Sequence, residues 1–282
     1  MTDELPVEAL SKIVPWICAA VLAGCAAPAT VQPSAAIPIR VSKPDGDGPF
    51  PAVVIMHDCS GLGPGSSGAP NRWAKLLIER GYVVVIPDSF ATRGFQDGVC
   101  TDASPSRVEV SPSMRVMDAY AALARARSLP YVDGKRIGIM GGSHGGSTTL
   151  NAMAAQEERA GFAAAVSLYP ACGVQIGGWY GRGGIYRSTA PLLILIGEKD
   201  DWTPAEPCRR MTEAAQAAGY PVSIKVYPGA HHSFDSDRPE RYVAARINMN
   251  APNRRGATTG GDPQAWAESV REVEAFFGRH LK

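Results

Sequence analysis

The sequence lacks the patterns typical of metal, phosphate and nucleic-acid binding. It has no H-E-x-x-H, no C-x-x-C and no G-x-x-x-x-G-K-[ST] segment, so neither a zinc site nor a phosphate-cradling loop is indicated. Lysines and arginines number 28 against 27 acidic residues. Because a nucleic-acid surface needs concentrated positive charge, no nucleic-acid partner is expected. We also expect no metal and no other cofactor.

The apolar stretch near the N-terminus is too short to cross a bilayer comfortably. It covers residues 13–24, whereas a spanning helix needs about 20 residues. It fits a signal-peptide core, and its end, Leu22-Ala-Gly-Cys25, resembles the lipobox of bacterial lipoproteins. The preceding segment is acidic where a positive charge is usual. We expect export and a membrane tether through a lipidated Cys25; the alternative is a chance match in a cytoplasmic protein.

The remaining chain has the length of one α/β domain. The 282 residues are 45% hydrophobic, and such folds run to about 250 residues as one unit. We expect a signal-like segment and linker over residues 1–36, then one domain over residues 37–282, as a monomer. Apolar runs predict strands at 37–42, 51–57, 82–87, 136–140, 163–169, 191–196 and 222–227, and periodic segments predict helices at 71–80, 113–128, 148–156, 204–218 and 262–281.

This alternation predicts a mostly parallel central sheet with helices on both faces. Two polar segments, 91–112 and 236–262, interrupt it. We expect both to be loops that border a cleft, because long loops without secondary structure are unusual in compact domains unless they have a function.

Residues 136–146 are the most informative segment. They contain Gly141-x-Ser143-x-Gly145, the G-x-S-x-G pattern of a nucleophile elbow, between an apolar strand and a helix. The two glycines leave room around a serine that is held on a strained turn. The pattern predicts Ser143 as a nucleophile; the alternative is a glycine-rich turn with an idle serine.

A carboxylate and a histidine follow two later strands. The spacing Gly-x-x-Asp-x-x-Thr-Pro favours Asp200 over Asp201, and Gly-Ala-x-His-x-Phe favours His232 over His231. Each lies at the carboxyl end of a strand, where open α/β sheets place their sites. The order Ser, Asp, His is that of α/β-hydrolases. It predicts a triad in which the histidine takes the proton of Ser143 and the aspartate orients the histidine.

These segments resemble the dienelactone hydrolase family of α/β-hydrolases. The matching pieces are His57-Asp-Cys-Ser-Gly-Leu62, Gly141-Gly-Ser-His-Gly-Gly146, Gly197-Glu-Lys-Asp200 and Gly229-Ala-His-His-Ser-Phe-Asp235. The resemblance implies an α/β-hydrolase fold and hydrolysis of a small-molecule ester through an acyl-enzyme. It also implies an oxyanion hole formed by the backbone N–H groups of Cys59 and His144.

The chain departs from the family pattern at the nucleophile and at the substrate arginines. The family's dienelactone hydrolases usually carry cysteine where this chain has serine. Their substrate carboxylate is usually held by two arginines; here Arg93 is one residue off the first position, and Ser236 occupies the second. An ester hydrolase of different or wider substrate range is therefore favoured over one for dienelactone.

Three side chains are candidates for substrate contact. Asp58 could orient the site or bond only loop amides, and Arg93 could hold an acidic group. Trp179 lies in a glycine-rich segment and could shape the pocket or pack on the surface.

Besides Cys18 and Cys25, four cysteines allow three pairings. In the fold that the resemblance implies, Cys59 and Cys100 follow neighbouring strands, as do Cys172 and Cys208. We expect disulfides Cys59–Cys100 and Cys172–Cys208, which suit an oxidising compartment; the alternative is four free thiols.

Other functions remain open at this point. The same triad could serve a peptidase or a polyester depolymerase, although the long loops argue against an open cleft. A catalytically silent binding protein, or a carrier lipoprotein, would leave the intact order of Ser143, Asp200 and His232 unexplained.

Overall fold

The computed structural model describes residues 37–154, 161–173, 184–188 and 190–282. Seven strands form the central sheet and two more form a separate hairpin. The sheet strands are β1 (Ile39–Ser42), β2 (Phe50–Met56), β3 (Val83–Pro87), β4 (Val132–Gly142), β5 (Ala164–Leu168), β6 (Leu192–Gly197) and β7 (Val222–Tyr227). The helices are α1 (Ala69–Glu79), α2 (Val116–Arg127), α3 (His144–Met153), α4 (Ala205–Ala217) and α5 (Pro263–Leu281), and the hairpin is β8 (Arg241–Ile247) with β9 (Arg255–Thr259).

The sheet runs in the order β1-β3-β2-β4-β5-β6-β7. Strand β1 is antiparallel to β3, and every other strand pairing in this sheet is parallel. The prediction of a mostly parallel α/β sheet is confirmed. The carboxyl ends of β2, β4, β6 and β7 consequently meet at one edge, and these are the strands that precede the predicted site residues.

Strands β3, β5 and β6 are buried along their whole length, which explains why they read as continuous apolar runs. Helix α5 closes the fold by burying Phe277 and Leu281, each side chain contributing roughly 1.5–3 kcal/mol. The carboxylate of Asp262 accepts hydrogen bonds from the backbone N–H groups of Gln264 and Ala265, so it caps the start of this helix.

The structure corrects the expectation of a loop over residues 236–262. That segment contains the β8–β9 hairpin, whose strand β8 is largely exposed. In β8 the apolar residues run together between two arginines, so the segment lacks the alternation by which a strand is recognised. The side-chain amide of Asn248 donates to the carbonyl oxygens of Gly256 and Asp201 and joins the hairpin to the loop after β6.

Smaller differences concern 91–112 and the helix after Ser143. The first contains two short 3-10 helices, Ala91–Arg93 and Pro105–Val110. The second begins at His144, earlier than predicted. None of the helices within the described residues is long and apolar enough to cross a membrane. The signal-like segment with Cys25 lies outside the described residues.

Both predicted disulfides are present. Cys59 is bonded to Cys100, and Cys172 to Cys208. The first joins the loops that follow β2 and β3, two neighbouring strands of the sheet, and so fixes the loop that leads out of β2.

Candidate active site

Ser143 lies on the turn between β4 and α3 with φ 53° and ψ −114°. This positive φ is uncommon for a residue with a side chain and costs about 1–3 kcal/mol. The crowding that the sequence predicted is real: a Cβ on Gly145 would lie 2.0 Å from the carbonyl oxygen of Met56, and one on Gly141 would lie 2.6 Å from Gly145. The turn therefore requires both glycines, and it projects the serine at the edge of the sheet.

His232 joins Ser143 to Asp200. Its Nε2 lies 2.9 Å from Ser143 Oγ and its Nδ1 lies 2.8 Å from Asp200 Oδ2. The side chains of Asp200 and His232 are both fully buried. Because Nδ1 faces a carboxylate, it carries the ring proton, and Nε2 is left as an acceptor for the serine hydroxyl.

Asp201 and His231, which are adjacent in the chain to Asp200 and His232, form hydrogen bonds with other residues. Asp201 accepts hydrogen bonds from the backbone and hydroxyl of Thr258. His231 Nδ1 lies 2.7 Å from Glu240 Oε2. The structure thus brings Asp200 and His232 to Ser143, the members of each pair that the spacing favoured.

Thr203 was not among the site residues predicted from the sequence. Its hydroxyl donates toward Asp200 Oδ2 at 3.0 Å and lies 3.0 Å from His232 Nδ1. Its backbone N–H and that of Trp202 donate to Asp200 Oδ1. These bonds hold the carboxylate in one orientation, and the Thr-Pro pair after Asp200 was the only signal for them in the sequence.

Two aromatic rings enclose the imidazole. The rings of Tyr169 and Trp202 each lie 4.7 Å from that of His232. The Tyr169 hydroxyl donates to Asp235, 2.7 Å away, and Asp235 also accepts from the indole of Trp73. Burial, with the charge of Asp235 beside it, raises the pKa of Tyr169 well above its ordinary value, so its phenol stays protonated.

Two unused backbone donors lie beside the serine. The N–H groups of Cys59, after β2, and of His144, the first residue of α3, donate to no group in the described part of the chain. Both residues line a cleft together with Ser143. A helix N-terminus favours negative charge, so this corner can accept an oxyanion.

The sequence profile of the Dienelactone hydrolase family matches residues 37–280. The chain belongs to the dienelactone hydrolase family. Two relatives named "Putative carboxymethylenebutenolidase" are similar to this family member: that of Methylorubrum extorquens is 30% identical, over 74% of this chain and 71% of its own. That of Azospirillum brasilense is 31% identical, over 86% of this chain and 92% of its own.

Solved structures agree on the fold. The apo form of esterase 2 from Thermogutta terrifontis has a TM-score of 0.59 and 20% identity, over 86% of this chain and 88% of its own. This dienelactone hydrolase family member is a carboxylic-ester hydrolase.

Of the three substrate-contact candidates in this hydrolase, Asp58 lies beside the serine but is occupied. Its carboxylate accepts hydrogen bonds from the backbone N–H of Ser60 and from the hydroxyls of Ser60 and Ser67. It thereby orders the loop after β2. Trp179 lies outside the described residues.

The structure corrects the expectation for Arg93. Its guanidinium donates to both carboxylate oxygens of Asp118, at 2.6 and 2.8 Å, and to the carbonyl oxygen of Ser89. Arg93 lines neither cavity beside Ser143. The bidentate ion pair uses N–H groups that lie in the plane of the guanidinium, and the hydrogen bonds to Asp118 raise the pKa of Arg93.

The hydrolase has two cavities beside Ser143 among its described residues. The larger, of about 640 Å³, is lined partly by the Cys59–Cys100 disulfide and Met249. The smaller, of about 50 Å³, is lined by residues that include three arginines: Arg238, Arg241 and Arg246. These arginines lie on or just before β8, a strand that was not predicted from the sequence.

Arg246 is the most buried of the three arginines. Its guanidinium carbon lies 5.1 Å from the centroid of the Trp202 ring, and its buried Nε has no hydrogen-bond partner in the described part of the chain. Burial lowers the pKa of Arg246. Since its lining holds these three arginines and one carboxylate, that of Asp58, the smaller cavity carries excess positive charge.

Proposed function

We propose that this chain hydrolyses carboxylic esters through an acyl-enzyme, with Ser143 as nucleophile, His232 as base and Asp200 as the group that orients it. The hydrogen-bond chain Ser143–His232–Asp200, with distances of 2.9 and 2.8 Å, carries this proposal. The order of the three residues along the chain and the strained turn at Ser143 support it.

The chemistry follows from these positions. Ser143 Oγ attacks the ester carbon while its proton passes to His232 Nε2, and the carbonyl oxygen becomes an oxyanion. The N–H groups of Cys59 and His144 stabilise that charge; one such donor is typically worth roughly 3 kcal/mol of barrier. His232 then gives the proton to the leaving alcohol oxygen, the ester bond breaks, and water releases the acid by the same steps.

We further propose that the ester carries an acidic group. The smaller cavity, with Arg238, Arg241 and Arg246 beside the serine, supports this. The name of the two relatives also points to a lactone that bears a carboxylate. The arginines that would bind it come from the β8 region, whereas Arg93, the candidate nearest to the family's pattern, is paired with Asp118.

Export and a lipid tether through Cys25 are part of the same proposal. The Leu22–Cys25 segment and the two disulfides support them, because disulfides persist mainly in oxidising compartments. Mass spectrometry of the protein from membranes of an expressing bacterium tests this. A diacylglyceryl group on Cys25 is expected, and an unmodified N-terminal segment in the soluble fraction would contradict it.

Hydrolysis of short-chain p-nitrophenyl esters by the wild type and by Ser143→Ala tests the main proposal. Activity in the wild type alone, with covalent labelling of Ser143 by a fluorophosphonate, is the expected result. If Ser143→Ala kept most of the activity, Ser143 would not be the nucleophile. If the wild type neither turned over esters nor reacted with the probe, the triad would be idle.

A further inference from the structure

Arg115 is a fully buried cation that the mechanism above does not use. It directly precedes α2, and burial lowers its pKa to about 10, so the guanidinium remains charged at neutral pH. Burying a charge without a hydrogen-bonded counter-ion is costly. Arg115 makes no salt bridge within the described residues, which raises the question of what its charge stabilises.

Its two terminal nitrogens bind the two segments that border the serine. Nη1 lies 2.7 Å from His144 Nδ1, and Nη2 donates to the carbonyl oxygen of His57 at 2.8 Å. His57 directly follows β2 and lies two residues before Cys59; His144 is the first residue of α3. One guanidinium therefore spans the gap between the segments that carry the two unused N–H groups.

The contact to His144 defines its protonation. A guanidinium has only donors, so Nδ1 must be the acceptor, and a neutral imidazole then carries its proton on Nε2. Burial and the charge of Arg115 lower the pKa of His144 well below its ordinary value. The ring of Phe90 lies 5.0 Å from the Arg115 guanidinium and 6.0 Å from the His144 ring, so it packs against this contact.

We propose that Arg115 is the positioning residue of the oxyanion hole. It fixes the distance between the N–H groups of Cys59 and His144, and it places a positive charge beside them. This inference rests on the proposed function, since it assigns to Arg115 the alignment of the donors in that reaction. A planar fork suits the task because its two ends hold two separate segments at once.

Kinetics of Arg115→Met and Arg115→Lys provide the first part of the test. Arg115→Met keeps an apolar side chain and removes the charge. Its kcat is expected to fall about 10- to 100-fold, which is no more than the loss caused by removing one whole oxyanion-hole donor. Its KM should stay within threefold of the wild-type value. Arg115→Lys keeps the charge but cannot bridge both segments, and an intermediate kcat is expected. Arg136→Met is the matched control, because Arg136 also donates to two carbonyl oxygens, of Leu281 and Pro49, near the start of β4; its kcat should stay within twofold.

Inhibition separates alignment from general damage to the fold. A trifluoromethyl ketone adds Ser143 Oγ to its carbonyl carbon and develops an oxyanion, whereas the product acid does not. In Arg115→Met the inhibition constant of the ketone should rise in parallel with the loss of kcat, while that of the product acid should change less than threefold. Equal weakening of both, or an unchanged ketone constant, would overturn the proposal.

A pair of variants at His144 serves if the Arg115 variants do not fold. His144→Asn offers an amide oxygen near the place of Nδ1, whereas His144→Leu removes the acceptor, and kcat of His144→Asn should exceed that of His144→Leu at least fivefold. Equal activity of the two variants would overturn the proposal. A wild type that neither hydrolyses esters nor reacts with the ketone would instead refute the proposed function, and the role of Arg115 would fall with it.

Discussion

His231 and His232 are adjacent in the chain, yet their rings are bound to different carboxylates, Glu240 and Asp200. His232 is completely buried, whereas the side chain of His231 is 19% exposed and that of Glu240 is 50% exposed. The two histidines therefore provide a matched pair of substitutions, one inside the triad and one beside it.

His232→Ala is expected to lower kcat by a factor of about 10⁴–10⁶, because the base is lost. His231→Ala removes a partly exposed contact and should cost no more than about 1 kcal/mol of stability, with kcat changed less than tenfold. Steady-state hydrolysis of a p-nitrophenyl ester by the two purified variants measures both effects. The reverse ranking would assign the base to His231.

Arg246→Gln is expected to raise KM for an ester with a carboxylate at least about tenfold, the usual worth of a charged hydrogen bond. KM for a neutral ester of equal size should not change, because only the acidic group needs the guanidinium. Comparing a hemisuccinate with an acetate of the same phenol measures the difference. Arg210→Gln is the control, since Arg210 forms an exposed ion pair with Glu206. An equal effect on both esters would contradict the proposed acidic substrate.

The Cys59–Cys100 disulfide is expected to support activity as well as stability. Cys100→Ser should lower the free energy of unfolding by up to about 4 kcal/mol, given a sequence separation of 41. It should also lower kcat, because Cys59 carries a proposed oxyanion donor. Cys208→Ser opens a span of 36 residues and should destabilise similarly with less effect on kcat. Thermal melts measure the stability of both variants, and steady-state kinetics measure their kcat. Equal kcat values would show that the Cys59–Cys100 disulfide has no specific effect on the reaction.

Stability is expected to fall as the pH drops below about 6.5. Burial, then the charge of Arg115, lowers the pKa of His57 well below its ordinary value of 6.5. Its Nε2 accepts from the backbone N–H of Ser89, and its Nδ1 lies 2.9 Å from the carbonyl oxygen of Asp58, so the folded protein holds the ring neutral. The unfolded chain takes up the proton first, and the free energy of unfolding decreases by up to about 1.4 kcal/mol per pH unit for this group.

Urea unfolding at pH 7 and pH 5 measures this loss. His57→Gln is expected to lose less stability than the wild type between the two values, because glutamine does not titrate. The variant can be less stable than the wild type at both values without affecting the comparison. Parallel behaviour of the two proteins would show that His57 does not contribute to the acid sensitivity.

The parts of this structure that the sequence predicted are those with local signals. Continuous apolar runs identified the buried strands, and the crowding around Ser143 was expressed in Gly141 and Gly145. The spacing around Asp200 and His232 separated each from its neighbour. The pairing of the cysteines was predicted from the family resemblance, because the fold that it implies shows which strands are adjacent.

Contacts between segments that are far apart in the chain have no local signal in the sequence. Arg115 reads as an ordinary residue before a helix, and only folding shows that it is covered by the segments of His57 and His144. Arg93 was a candidate for substrate contact because its ion pair with Asp118, 25 residues further along the chain, is not visible in the sequence. The β8–β9 hairpin was missed because the apolar and polar residues of β8 do not alternate and the strand lies within a polar stretch of the sequence.

The hairpin also has a consequence for how selectivity could change. It forms a separate two-stranded sheet, linked to the rest near the site by a bridge between His232 and Thr259 and by the contacts of Asp201 and Asn248. Its residues supply most of the positive charge of the smaller cavity, while the reacting groups stand on the central sheet. Exchange of residues 241–259 is therefore a route by which related enzymes could acquire new substrates, and a natural site for grafting in the laboratory, without rebuilding the chemistry.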